Sequence, residues 1–367
     1  MAQWNAVGRP ATELDTPVLL VDMPTLESNI QRMAATMVHE AGVQWRPHMK
    51  GIKTPAIAHM MLRAGAVGVT CAKLGEAEVM AAGGVQDILV ANQVVGARKI
   101  ARLVHLQRQA DVAVAVDDFD NVEQIDRAAC DLGVCVRLLV EVNAGMDRAG
   151  VEPGAPSLAL ARHIAGRQGV RFAGLTAWEM LALRVTEPEA KRRAVAAALD
   201  PVMETAAQCR AAGLPVDIIS TGGTGTYWVS AFHPGVTEVQ AGGGVFSDLV
   251  YRNQYGLDLP CAMTVLSTVT SRPTPTRIIC DAGKKTMSAD SETPQLLDVG
   301  PVRASSFSAE HGKIELENAT ESPRVAELLR FVPGCVDTTV VLHDEIYGVR
   351  DGIVETVWPL LARGRLQ

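Results

Sequence analysis

Lys50 closes the stretch Trp45-Arg46-Pro47-His48-Met49-Lys50, and an amine at the end of an apolar run can condense with an aldehyde. The ammonium form is not nucleophilic, so a Schiff-base lysine needs desolvation or neighbouring cations, for which Arg46, His48 and Lys53 stand close in sequence. Two glycine clusters, Ser220-Thr221-Gly222-Gly223-Thr224-Gly225-Thr226 and Ala241-Gly242-Gly243-Gly244, have the composition of anion nests. Glycine lets the backbone turn its N–H groups inward, threonine hydroxyls add donors, and a phosphate dianion suits the result. Asn143-Ala144-Gly145-Met146-Asp147-Arg148 adds a guanidinium, and Trp178-Glu179 adds an aromatic plane with a carboxylate. Taken singly, each has an ordinary reading: a solvated lysine, a tight turn, a surface arginine, a core tryptophan.

What would bring them together is the alternation of elements around them. Short apolar runs bounded by turn residues occur at 45–50, 68–72, 87–92, 112–117, 137–143, 172–178, 216–220 and 238–242. Their hydrophobicity is continuous rather than alternating, as parallel strands covered on both faces require. The segments between them have helical spacing, and the alanine-rich run from Leu74 to Ala82 is stopped by Gly83-Gly84. Eight strand-helix units predict a (β/α)8 barrel over residues 23–244, with a doubly wound open sheet as the alternative. In a barrel the chemistry gathers where strands end at their carboxyl termini, and phosphates are commonly held by the loops after the last two strands. A lysine, an arginine and a phosphate cradle at one mouth describe a site for pyridoxal 5'-phosphate (PLP). Its members would be Lys50, Arg148, Thr224, Gly225, Gly242 and Gly243.

Beyond Gly244 the texture changes to β-rich pieces at 263–269, 277–281, 340–342 and 345–349, broken by proline, glycine and serine. These predict a mainly antiparallel domain over 245–367, to which residues 1–22, with the strand-like Pro17-Val18-Leu19-Leu20-Val21-Asp22, would add a strand. With 367 residues, 48% of them apolar, the chain can bury a sizeable core. The net charge of −7 comes from interspersed acids and bases, which argues against a nucleic-acid partner. No stretch reaches the ~18 apolar residues of a membrane span, so a soluble, cytoplasmic protein is expected. Seven cysteines without a Cys-x-x-Cys pair argue against a disulfide framework or a zinc knot.

The motifs also resemble a known family. Arg46-Pro47-His48-Met49-Lys50-x-x-Lys53, Gly68-Val69-Thr70-Cys71-Ala72-Lys73 with Glu76-Ala77-Glu78, and Gly145-x-x-Arg148-x-Gly150-Val151 are similar to the alanine-racemase-like PLP enzymes of fold type III. Ser220-x-Gly222-Gly223-Thr224-Gly225-Thr226-Tyr227, Asp281-Ala282-Gly283-x-Lys285 and Glu310-His311-Gly312 resemble the D-threonine aldolase and D-serine dehydratase branch. The resemblance implies a homodimer with Lys50 as the Schiff-base lysine and a D-3-hydroxy amino acid as substrate. It also implies a divalent metal near the carboxyl terminus, where Cys335 replaces the expected histidine and Asp337 matches the acid of the aldolases. A thiolate with a carboxylate favours zinc over the magnesium or manganese that carboxylates suit. Met180-Leu181 and Ile52 stand where the family has further histidines. Asp337 favours retro-aldol cleavage to glycine and an aldehyde. The alternatives are dehydration of D-serine or D-3-hydroxyaspartate, a racemase using Tyr251, Tyr255 or Tyr347, and a non-catalytic PLP carrier.

Overall fold

The computed structural model describes residues 5–367, which divide into two compact units. One holds residues 31–50, 54–242 and 364–367; the other holds the described residues through Ile30 together with Gly51–Lys53 and Gly243–Arg363.

The first unit is an eight-stranded parallel sheet: β2 (Gln44–Trp45), β3 (Val69–Cys71), β4 (Asp87–Val90), β5 (Asp111–Val116), β6 (Val136–Glu141), β7 (Val170–Thr176), β8 (Ile218–Thr221) and β9 (Glu238–Val239). Hydrogen bonding runs in the order β2-β9-β8-β7-β6-β5-β4-β3, and the two end strands meet through a parallel bridge between His48 and Thr70. That ring is the (β/α)8 barrel the alternation predicts, and it excludes the open sheet. The run expected as a strand to Lys50 keeps regular pairing only at Gln44–Trp45. Pro47 lacks an N–H and interrupts the ladder. Pairing is patched around it by Arg46 N–H to Val239 O (2.9 Å), His48 N–H to Gln240 O (2.9 Å) and Met49 N–H to Thr70 O (2.7 Å). Lys50 therefore sits in a turn just beyond the sheet.

Strands β5 and β6 are buried along almost their whole length, as continuous apolar runs require. Leu89, Ala113, Leu139 and Ala173, from four neighbouring strands, pack into one layer. A charged network lies at the amino-terminal ends of the strands. There Arg46, 3% exposed, pairs with Glu238 (2.7 Å) and Asp87 (2.9 Å), while Arg137 pairs with Asp111 (2.8 Å) and with Asp87.

A long helix, Pro188–Ala211, follows β7. It starts sharply because Pro188 suits the first turn and the Glu187 carboxylate caps the N–H groups of Glu189 and Ala190. Its buried face is Lys191, Val195, Leu199, Val202, Ala206 and Cys209.

The second unit is a mainly antiparallel sheet. Strand β1 (Val18–Asp22) pairs antiparallel with β10 (Met263–Thr274) and parallel with β16 (Glu345–Arg350). Beyond β10 lie β11 (Arg277–Cys280), β14 (Gly312–Leu316) and β13 (Val302–Phe307), while β17 (Ile353–Pro359) edges β16. Strand β15 (Leu328–Val332) pairs with β10 and with β12 (Gln295–Leu297). Asp281 fastens this sheet by accepting from Ser267 Oγ (2.7 Å), Thr268 N–H (2.9 Å) and Thr16 Oγ1 (2.5 Å). The expected strand at 340–342 is instead the end of a helical turn, Val336–Thr339 followed by Val340–Leu342. β-branched residues suggested a strand, but the Asp248 carboxylate caps Val336 N–H (2.8 Å) and Thr339 Oγ1 bonds Cys335 O (2.7 Å).

Candidate active site

At the carboxyl-terminal mouth of the barrel, Trp178 follows β7 and gathers two cations. The Lys50 ammonium lies 5.9 Å from the indole centroid and the Arg148 guanidinium carbon 5.3 Å from it. The Lys50 backbone N–H meets His48 Nδ1 at 3.3 Å, which ties the turn to the bridging histidine. Arg148 is half exposed and faces Glu141 at 3.7 Å. Burial raises the Glu141 carboxyl, against the lowering effects of the Gln93 amide, 2.5 Å away, and of Arg148. Arg46 is not the cation that acts on Lys50. It is held between two carboxylates in the charged network, where Glu238 and Asp87 outweigh burial and raise its pKa.

The loop after β8 is built from the inside. Gly222, at φ +76°, would drive a Cβ into Val239, and a Cβ on Gly223 would stand 3.2 Å from Trp178 Nε1. The Gly223 N–H bonds Thr226 Oγ1 (3.1 Å), and the N–H groups of Thr226 (3.0 Å) and Tyr227 (2.9 Å) return to Gly223 O. Thr224 and Gly225 are both buried in this loop. After β9, a Cβ on Gly242 would collide with the backbone of His48, two residues before Lys50. In the second unit Gly243 opens a short 3-10 turn and is pressed against the Tyr251 ring. The mouth thus brings Lys50, Arg148, Thr224, Gly225 and Gly242 onto one set of strand ends, with glycine required where backbones meet. An amine, a guanidinium, an indole face and a glycine cradle fit PLP. Gly242→Ala is expected to weaken PLP retention at least about tenfold, because backbone rather than a flexible side chain must give way. Absorbance titration of the variant checks this.

Glu179, read as a carboxylate at the mouth, is fully buried inside the loop. It accepts from Gly222 N–H (3.2 Å), Thr226 Oγ1 (2.7 Å) and Ser230 Oγ (2.5 Å), so its place is structural. Met180 starts a 3-10 turn, and Leu181, 61% exposed, lies against Gly145 of the Arg148 loop.

The expected metal ligands lie in the second unit. Cys335 precedes the helical turn at Val336, and Asp337 packs its carboxylate against Gly51. Burial, then Asp337 and Asp248, push the Cys335 thiol up. Burial brings Asp248 up to about 7, and both its oxygens are engaged, by Tyr251 N–H (2.7 Å) and Val336 N–H (2.8 Å). Among the described residues no three His, Cys, Asp or Glu side chains group around a cation position. The donor set as it stands does not complete a metal centre.

Comparison with known proteins agrees with this architecture. Residues 21–249 match the alanine racemase N-terminal domain, and residues 262–349 match a serine dehydratase domain. A D-threonine aldolase of Arthrobacter sp. is 37% identical over 97% of this chain and 95% of its own. A 3-hydroxy-D-aspartate aldolase of Paracoccus denitrificans is 33% identical over 98% of this chain and 94% of its own. The crystal structure of D-threonine aldolase from Filomicrobium marinum superposes with a TM-score of 0.95 at 35% identity, covering 98% of this chain and 99% of that one.

Proposed function

The chain belongs to the alanine racemase N-terminal-domain family of fold-type III PLP enzymes, and from that premise we propose that it is a lyase cleaving a D-3-hydroxy amino acid of the D-threonine kind to glycine and an aldehyde. The observation that carries this reading is the convergence of Lys50 and Arg148 on Trp178, beside glycine loops that have no room for side chains.

When bound, PLP withdraws the electron pair left on the α-carbon as the bond to the β-carbon opens. Lys50 would hold it through Nζ, and Thr224, Gly225, Gly242 and Gly243 would receive its phosphate. Arg148, kept in place by Glu141 and the indole, would address the ring edge. Trp178 offers its face as a wall that excludes water from the reacting bond. Because Cys335 and Asp337 do not make a metal centre here, no step depends on one. A homodimer and a cytoplasmic setting belong to the same reading; no helix among the described residues is long and apolar enough to cross a membrane.

Dehydration is the second reading, favoured by the match of residues 262–349 to the serine dehydratase domain. Of the three tyrosines considered for racemisation, Tyr347 is a poor base, because burial and then Glu345 push its phenol up to about 12. The separating assay offers D-threonine and D-serine to the purified protein with PLP. Acetaldehyde and glycine from D-threonine are expected. Keto acid and ammonia as the main products would replace the aldolase reading with dehydration, and no product from either substrate would remove both.

A further inference from the structure

Lys191 is a buried charge without a part in the mechanism above. It is 1% exposed and stands in the first turn of the helix Pro188–Ala211, at the head of the apolar stripe Val195, Leu199, Val202, Ala206 and Cys209. Its ammonium donates to the carbonyl oxygens of Gly225 (2.8 Å) and Leu183 (3.2 Å) and lies 4.5 Å from the Trp228 ring centroid. Burying an ammonium is costly, and backbone carbonyls and an indole face are among the contacts that offset the cost here. Burial lowers the Lys191 pKa to about 8, which leaves the group charged at neutral pH. A leucine or methionine would satisfy the apolar helix face, whereas the ammonium reaches beyond it to the carbonyl of Gly225.

The place it touches is the glycine loop. An anion cradle works when its N–H groups face the ligand and its carbonyls are turned away. Gly225 is the residue whose carbonyl Lys191 holds, and its own N–H has no protein partner among the described residues. Glu179 fastens the same loop through Gly222, Thr226 and Ser230.

We propose that Lys191 is a positioning residue for the phosphate cradle, keeping the Gly225 carbonyl off the ligand and placing a positive charge beneath the loop so that it selects a dianionic phosphate ester. The inference rests on the PLP reading. Its test compares PLP with pyridoxal, which lacks the phosphate, by absorbance titration of the full-length apoprotein, with circular dichroism as the check on folding. Binding of PLP by the wild type tests the reading itself, and its absence there would remove reading and inference together. In Lys191→Met, PLP affinity is expected to fall at least about tenfold while pyridoxal affinity changes less than about threefold. Lys191→Gln, which keeps a donor and removes the charge, should show the same selective loss to a smaller extent, and it carries the comparison if the methionine variant does not fold. Equal losses for both ligands, or no loss for PLP, would overturn the proposal, and so would failure of both variants to fold, which would make Lys191 a residue of the fold alone.

Discussion

Lys50→Ala should remove the visible absorbance of bound PLP and lower cleavage of D-threonine by more than about a thousandfold, a barrier increase of roughly 4 kcal/mol. The fold should survive, because Lys50 is half-buried in a turn beyond the last paired residue of β2 and its side chain is no part of the barrel layers. Loss of the amine leaves Arg148, Trp178 and the glycine loops in place, so the variant should still bind PLP, weakly and without the covalent chromophore. Lys191 is no substitute, since its ammonium is buried and donates to the carbonyls of Gly225 and Leu183. A Lys50→Ala protein that keeps both the absorbance and the activity would place the reactive amine elsewhere and dismantle the site as described.

The barrel was legible because its parallel strands are apolar on both faces, which a periodicity argument reads directly. The residues at strand ends were legible for the same reason: once the strands are placed, Lys50, Arg148 and the glycine loops must share a mouth. Less accessible was what holds those loops. Glu179 beside Trp178 has the same sequence signature whether it faces substrate or points back into the loop, and only the closed structure shows its three donors. Lys191 carries no signal of its own in Lys191-Arg192-Arg193, where three adjacent cations look alike; its spacing of four from Val195 is what puts it on the buried face. The strand expected at 340–342 failed because its cap, Asp248, lies far away in sequence.

The same distinction between visible strands and hidden ties governs the largest expected effect on stability. Arg46 belongs to the motif that ends in Lys50, yet its guanidinium occupies the amino-terminal end of the barrel, where Glu238 is 0% exposed and Asp87 is shared with Arg137. Arg46→Met removes the cation and leaves Glu238 buried with Ser220 Oγ (2.7 Å) as its remaining side-chain donor. Breaking a buried pair from one side costs about 3–5 kcal/mol, and the methionine recovers little of that because the carboxylates stay. Urea unfolding should register the loss, while a change below about 1 kcal/mol would show that the network contributes nothing net. The acid branch supplies a second reading. Burial raises the Asp87 pKa, but Arg46 and Arg137 outweigh it and hold the folded value below 3.8. Its contribution is therefore present above that pH and lost as pH falls through the folded value. Arg46→Met should make this acid-side decline shallower, since the partner that depresses Asp87 most is gone. Arg46 thus serves Lys50 indirectly, by closing the barrel whose opposite end carries the amine.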